Sequence, residues 1–84
     1  MADAHSPIQQ VAFLRRIEPE GNVARFYALL IERDLFGHVV LVRRWGRVGS
    51  RGRERADVYA STTEAVAAME KLAAAKRRRG YQDL

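Results

Sequence analysis

Two segments carry the strongest hydrophobic pattern. Arg25 to Glu32 (Arg-Phe-Tyr-Ala-Leu-Leu-Ile-Glu) and His38 to Trp45 (His-Val-Val-Leu-Val-Arg-Arg-Trp) are rich in β-branched, aromatic and aliphatic residues. Both are bounded by chain breakers. Asp34-Leu35-Phe36-Gly37 between them is of turn length and ends in glycine, so the pair predicts a β-hairpin. Apolar side chains on both faces of each strand place the two at the centre of a sheet. Val11 to Ile17 alternates weakly and is expected to form a short first strand at an edge. Glu18-Pro19-Glu20-Gly21-Asn22 then forms a loop of turn-favouring residues. After a glycine-rich loop from Gly46 to Gly52, Arg53 to Tyr59 alternates Glu54, Ala56 and Val58 with Arg53, Arg55, Asp57 and Tyr59, which predicts a last strand with one wet face.

The period then changes. Ser61-Thr62-Thr63-Glu64 has the spacing of a capping box, and Ala65, Val66, Met69, Leu72 and Ala73 recur at helical steps to define one packing face. Gly80 is placed to end that helix, and Lys76 to Arg79 would complement the negative end of its dipole. The expected fold is therefore α+β: an antiparallel sheet of about four strands with one C-terminal helix packed across it, in the order β-β-β-β-α. Residues 1–10 show no period and are read as a flexible leader, with a single domain over 11–84.

Composition narrows the class. With 84 residues, 48% of them apolar, the chain has room for one core and enough apolar surface to fold, which excludes a multi-domain enzyme. Cysteine is absent, removing disulfides, thiolate metal sites and cysteine nucleophiles, in keeping with a cytoplasmic protein. Neither a signal peptide nor a membrane-length apolar run is present, so no membrane association is expected. His5 and His38 have no metal-ligand spacing, no nucleophile-and-base set can be assembled, and neither metal nor cofactor is expected.

The net charge of +5 is unevenly distributed. Six arginines against one acid lie between Arg43 and Arg55, and Lys76 to Arg79 form a second basic cluster. The segment Arg43-Arg44-Trp45-Gly46-Arg47-Val48-Gly49-Ser50-Arg51-Gly52-Arg53 combines forked phosphate-binding donors, close backbone approach and a flat ring that can rest on a sugar or base. Plainer roles compete with this one. Trp45 at a strand end serves equally well as a boundary residue, Arg47 could clamp a carboxylate such as Asp57, and Gly46, Gly49 and Gly52 fit turns better than a phosphate cradle. Lys76 to Arg79 is ordinarily a solvated helix end unless folding brings it beside the loop. Phe26, Tyr27, Phe36, Tyr59 and Tyr81 are read as core or boundary residues.

Trp45-Gly46-Arg47-Val48-Gly49 resembles the defining motif of the WGR domain, found in the DNA-break-sensing poly(ADP-ribose) polymerases and in bacterial regulators and short stand-alone proteins. Asn22-x-x-Arg25-Phe26-Tyr27 resembles the family's Asn-x-x-Lys-Phe-Tyr. The helix with Ala65, Met69 where the family usually has Phe, and Lys76, and the closing Gly80-Tyr81 follow the same pattern, so the similarity runs from about Phe13 to Tyr81. The resemblance implies that Trp45 rests against a sugar at a DNA strand end, that Arg47 engages the backbone, and that Arg44, Arg51 and Arg53 add phosphate contacts. No segment resembles the polymerases' ADP-ribosyltransferase domain or zinc fingers, so a non-catalytic, stand-alone module of bacterial type is expected.

The expected partner is DNA, bound without sequence readout through Trp45, Gly46, Arg47, Arg44, Arg51 and Arg53; RNA is not distinguished from it. About six phosphate contacts would give a salt slope near −4 to −5 on a log–log plot. The alternative is a protein-interaction module using the basic loop and a sheet face, and the expected state is a monomer.

Overall fold

The two apolar segments do pair as the central hairpin. In the computed structural model, which describes residues 8–84, strand β2 (Val23–Arg33) and strand β3 (Val39–Arg47) are antiparallel, with Tyr27 opposite Trp45 and Leu29 opposite Arg43. Asp34 fixes the turn, its carboxylate accepting from the amides of Phe36 and His38, while Gly37 takes the positive φ of 86°. Phe36 departs from expectation: at the tip of this turn it is 84% exposed, because the hairpin projects beyond any layer that could cover it.

Strand β1 (Ile8–Glu18) pairs along the outer side of β2, and strand β4 (Arg53–Tyr59) along the outer side of β3. A two-residue strand β5 (Gln82–Asp83) adds to β1 at Leu14 and Arg15, giving the order β4-β3-β2-β1-β5. Thus the four expected strands are present with one short addition, and β1 is both longer than expected and partly covered at its edge. The leader lies largely outside the described residues; β1 begins at Ile8. A single 3₁₀ turn, Pro19–Gly21, links β1 to β2 and ends at Asn22 with φ 56°, a left-handed conformation that asparagine tolerates.

Helix α1 (Thr62–Arg78) starts where the capping pattern placed it, the Ser61 hydroxyl accepting from the Glu64 amide at 3.2 Å. It stops in a Schellman motif: the Tyr81 amide donates to the Lys76 carbonyl and the Gly80 amide to Arg77, with Gly80 at φ 98°. Its buried side, Ala65, Met69 and Ala73, packs on the sheet face carrying Leu14, Leu29, Ile31 and Leu41, all four without solvent exposure. Small helix residues against large strand residues bring helix and sheet close together. Truncating one of those four to alanine should cost roughly 2–5 kcal/mol. The helix runs from the Tyr59 end of the sheet toward the Trp45 end, which decides what its basic last turn meets.

Candidate nucleic-acid interface

Strand alternation sorts the basic residues before any contact is considered. Trp45 lies opposite Tyr27 and Arg53, and Arg47 opposite Arg25, so Trp45, Arg47, Arg25 and Arg53 occupy the face that bears the helix. Arg44, one residue out of phase, faces the other way, and its Nε donates to the Arg51 carbonyl at 3.2 Å. Arg44 and Arg51 together border a separate apolar depression with Phe13 and Phe26. Of the residues expected to act together, the structure gathers Trp45, Arg47 and Arg53 and leaves Arg44 and Arg51 on the opposite side.

On the helix side, the last turn of α1 reaches the end of β3. Between them lies a cleft of about 300 Å³ lined by Tyr27, Arg43, Trp45, Leu72, Lys76 and Arg79. Trp45 is half-buried. Its ring meets Tyr27 at 6.5 Å between centroids, tilted 44°, and the rest of it forms part of the cleft wall. The boundary role and the contact role are therefore both open to this one side chain.

Lys76 sits over two aromatic faces, its Nζ 4.7 Å from the Tyr27 centroid and 5.2 Å from that of Tyr81. Both tyrosines are buried, as expected of packing residues. Partial burial lowers the Lys76 pKa from its ordinary 10.5, with the nearby positive charges of Arg79 and Arg25 acting in the same direction. Among the described residues the ammonium is held by cation–π contact rather than by a carboxylate. Arg43 spans the cleft floor toward Asp57, at 3.5 Å, and its Nε is closed off from solvent with no hydrogen-bond acceptor among the described residues. Asp57 is also bound by Arg55, so it is Arg43 and Arg55, rather than Arg47, that this carboxylate engages. The Arg47 side chain makes no hydrogen bond or ion pair among the described residues.

The glycines of the loop do different things. A Cβ on Gly52 (φ 72°) would strike the Trp45 carbonyl oxygen and lie 2.8 Å from Phe26 Cζ, and one on Gly46 would lie 2.7 Å from the Gly52 Cα. These two glycines thus let the ends of the loop touch. Ser50 finishes the turn, donating from its hydroxyl and its amide to the Arg47 carbonyl. Trp45 and Arg47 thus lead into a tightly closed turn.

Sequence reasoning missed Arg43, Lys76 and Arg79 as members of the Trp45 site. The signal was the basic last turn of α1, but its partner depended on the direction in which the helix crosses the sheet. The rest of that turn diverges: Arg77 is taken by Asp83 through paired hydrogen bonds of 2.8 and 2.9 Å, which clip β5 to the helix. Among the described residues no group of three or more histidine, aspartate or glutamate side chains is arranged to hold a metal ion, and no helix is long and apolar enough to cross a membrane.

The family model for the WGR domain matches residues 10–84. Over 70 residues, 83% of this chain, the sequence is 39% identical to the uncharacterized protein y4dW of Sinorhizobium fredii (strain NBRC 101917 / NGR234). The match spans 34% of that protein, so this chain corresponds to about a third of its relative's length. No solved structure matches significantly. From the motif, the extent of the match and the sheet-and-helix architecture, we conclude that the chain belongs to the WGR domain family.

Proposed function

We propose that the protein is a non-catalytic nucleic-acid-binding module that grips a DNA backbone or strand end at the cleft between β3 and the last turn of α1. The observation that carries this reading is the convergence of a half-open tryptophan with Lys76, Arg79 and Arg43 around one concave site. The WGR family is generally nucleic-acid-binding, which favours the same conclusion.

Each part has a physical task. The outer part of Trp45 offers a flat surface for a sugar or base, while Arg47, with Arg25 opposite it, and Arg53 supply forked donors for phosphates that approach along the sheet end. Lys76 and Arg79 receive a phosphate from the helix side. An acceptor reaching the cleft floor would also relieve the unpartnered Arg43 Nε, whose burial costs of order 1–3 kcal/mol. Arg44 and Arg51 point away from this cleft and are assigned a supporting contact, by way of the loop, rather than a place in it.

Fluorescence-anisotropy titration of single-stranded, blunt and 5′-phosphorylated DNA at two salt concentrations tests the reading. Salt-sensitive binding weakened by Trp45→Ala, Arg47→Ala and Lys76→Ala, with unchanged circular dichroism, is the expected result. Binding that is indifferent to all three, or no binding at low salt, would remove the cleft from this role.

A further inference from the structure

On the face of the sheet turned away from the helix, strand pairing sets the side chains in rows. One row reads Arg44, Ala28, Phe13 across β3, β2 and β1, and the next, toward the loop, reads Gly46, Phe26, Arg15. Ala28 is the small member among Phe13, Phe26 and Leu30, so the surface dips there. At Gly46 the row has no side chain, and the loop folds over the gap so closely that a Cβ on Gly46 would lie 2.7 Å from the Gly52 Cα. The result is a depression of about 460 Å³ lined by these residues and, from the loop, by Val48, Ser50 and Arg51. That volume falls within the range of about 300–1,000 Å³ typical of ligand sites.

Its chemistry is an apolar floor between cations. Phe13 is 48% exposed, and Phe26 and Leu30 are half-buried. Arg15, Arg44 and Arg51 are exposed, and none of them forms an ion pair among the described residues. Arg15 and Arg44 flank β2 from its two neighbouring strands, about 10 Å apart across the sheet. The Arg44 Nε is held by the Arg51 carbonyl, which ties those two residues into one cationic side. Of the acids on this face, Glu32 lies two rows from Ala28 at the hairpin end, and Glu54 stands opposite Arg44 alone, so the surround stays positive.

Such a site suits a ligand with a flat apolar body and an anion on either side of it. An unpaired nucleotide within a strand has that form, its base lying between the phosphates that precede and follow it. Bases in a duplex are paired and stacked and cannot enter, whereas splayed bases stack readily on exposed aromatic side chains. An acidic run of a protein supplies carboxylates without a ring between them. We infer that this depression is a second nucleic-acid subsite, which takes one unpaired nucleotide with its base against Phe13 and Phe26 and its phosphates on Arg15 and on the Arg44 and Arg51 pair. The subsite lies across the sheet from the Trp45 cleft and does not depend on it. It gives Arg44 and Arg51, which the fold turns away from that cleft, a task of their own.

Anisotropy titrations of labelled oligothymidylate, of the same strand with abasic sites in place of its bases, and of a blunt duplex test the inference, in the wild type and in Trp45→Ala. Oligothymidylate should still bind Trp45→Ala, and in that background Phe13→Ala should weaken it by about five- to 150-fold, the range for loss of one stacked base. Phe13→Tyr should keep the affinity and Phe13→Leu should not, with unchanged circular dichroism, since Phe13 is half-exposed. Abasic-strand and duplex binding should be indifferent to all three. Arg15→Ala should lower the single-strand salt slope by about 0.7. Oligothymidylate binding that ignores both the Phe13 and Arg15 substitutions overturns the inference. So does an equal loss on the abasic strand, or displacement by polyglutamate as effective as that by unlabelled oligothymidylate. Duplex binding lost in Trp45→Ala but kept in Phe13→Ala belongs to the cleft, so the two readings fail separately.

Discussion

Part of the Trp45 ring is spent on Tyr27 and the rest lines the cleft, so under the proposed function this one side chain would combine packing with recognition. Trp45→Ala should therefore weaken DNA binding by about five- to 150-fold, from the ~1–3 kcal/mol that a stacked base contributes. Arg47→Ala should leave stability nearly unchanged and reduce the salt slope by about one unit, as loss of a single phosphate contact does. Lys76 adds a pH signature. Its lowered pKa means that a phosphate in the cleft would favour the protonated form, so binding takes up protons there, and affinity should fall as pH rises through the Lys76 titration below 10.5. Anisotropy titrations across that range should show the decline in the wild type and lose it in Lys76→Ala. Gly52 and Gly49 separate space from conformation. Alanine at Gly49 (φ 93°, nothing within 4 Å) should cost about 1–2 kcal/mol, whereas at Gly52 it should cost more and disturb the loop, as urea denaturation and binding would record.

At the scale of elements, the ends of α1 follow local chemistry and can be tested locally. Ser61→Ala removes the acceptor for the Glu64 amide and should cost about 1 kcal/mol, measured as a lowered urea midpoint with unchanged slope. The clip between α1 and β5 depends on the Arg77 hydrogen bonds, which hold the Asp83 pKa below the ordinary 3.8. A carboxyl depressed in the folded state stabilises above its unfolded pKa and stops doing so as pH falls through its folded one, so this contact is complete above 3.8 and fades below it. Hydrogen exchange of the Leu84 amide, which donates to Phe13, should accelerate in Asp83→Asn. The Ser61 cap, the glycine stop and the central hairpin were all legible in sequence because each is set within a few residues. The short β5 was not, because a two-residue strand has no period of its own and exists only where the chain leaving the helix meets β1.

For the molecule as a whole, charge and hydrophobicity divide along the two faces of one sheet. The helix-side end gathers Arg25, Arg47, Arg53, Lys76 and Arg79, so about five phosphates should be neutralised, with a salt slope of roughly −3.5 on single strands and −4.5 on duplex. Runs of β-forming residues between breakers made β2 and β3 and their central place legible, and the change to a helical period after β4 did the same for the helix and the general fold. The Trp-Gly-Arg tripeptide marked the end of the sheet at which the proposed cleft lies, since its residues are consecutive. Sequence could not say which face the helix would cover, because β2 and β3 are apolar on both. That choice, made only when Ala65, Met69 and Ala73 found the Leu14, Leu29, Ile31 and Leu41 side, carried Lys76 and Arg79 to Trp45 and turned Arg44 and Arg51 away. It also left Leu30, Val40, Val42 and their neighbours on the face away from the helix. Local pattern, acting over a few residues, determined the elements and the motif; long-range packing decided which charges lie together and which apolar side chains lie on the face away from the helix.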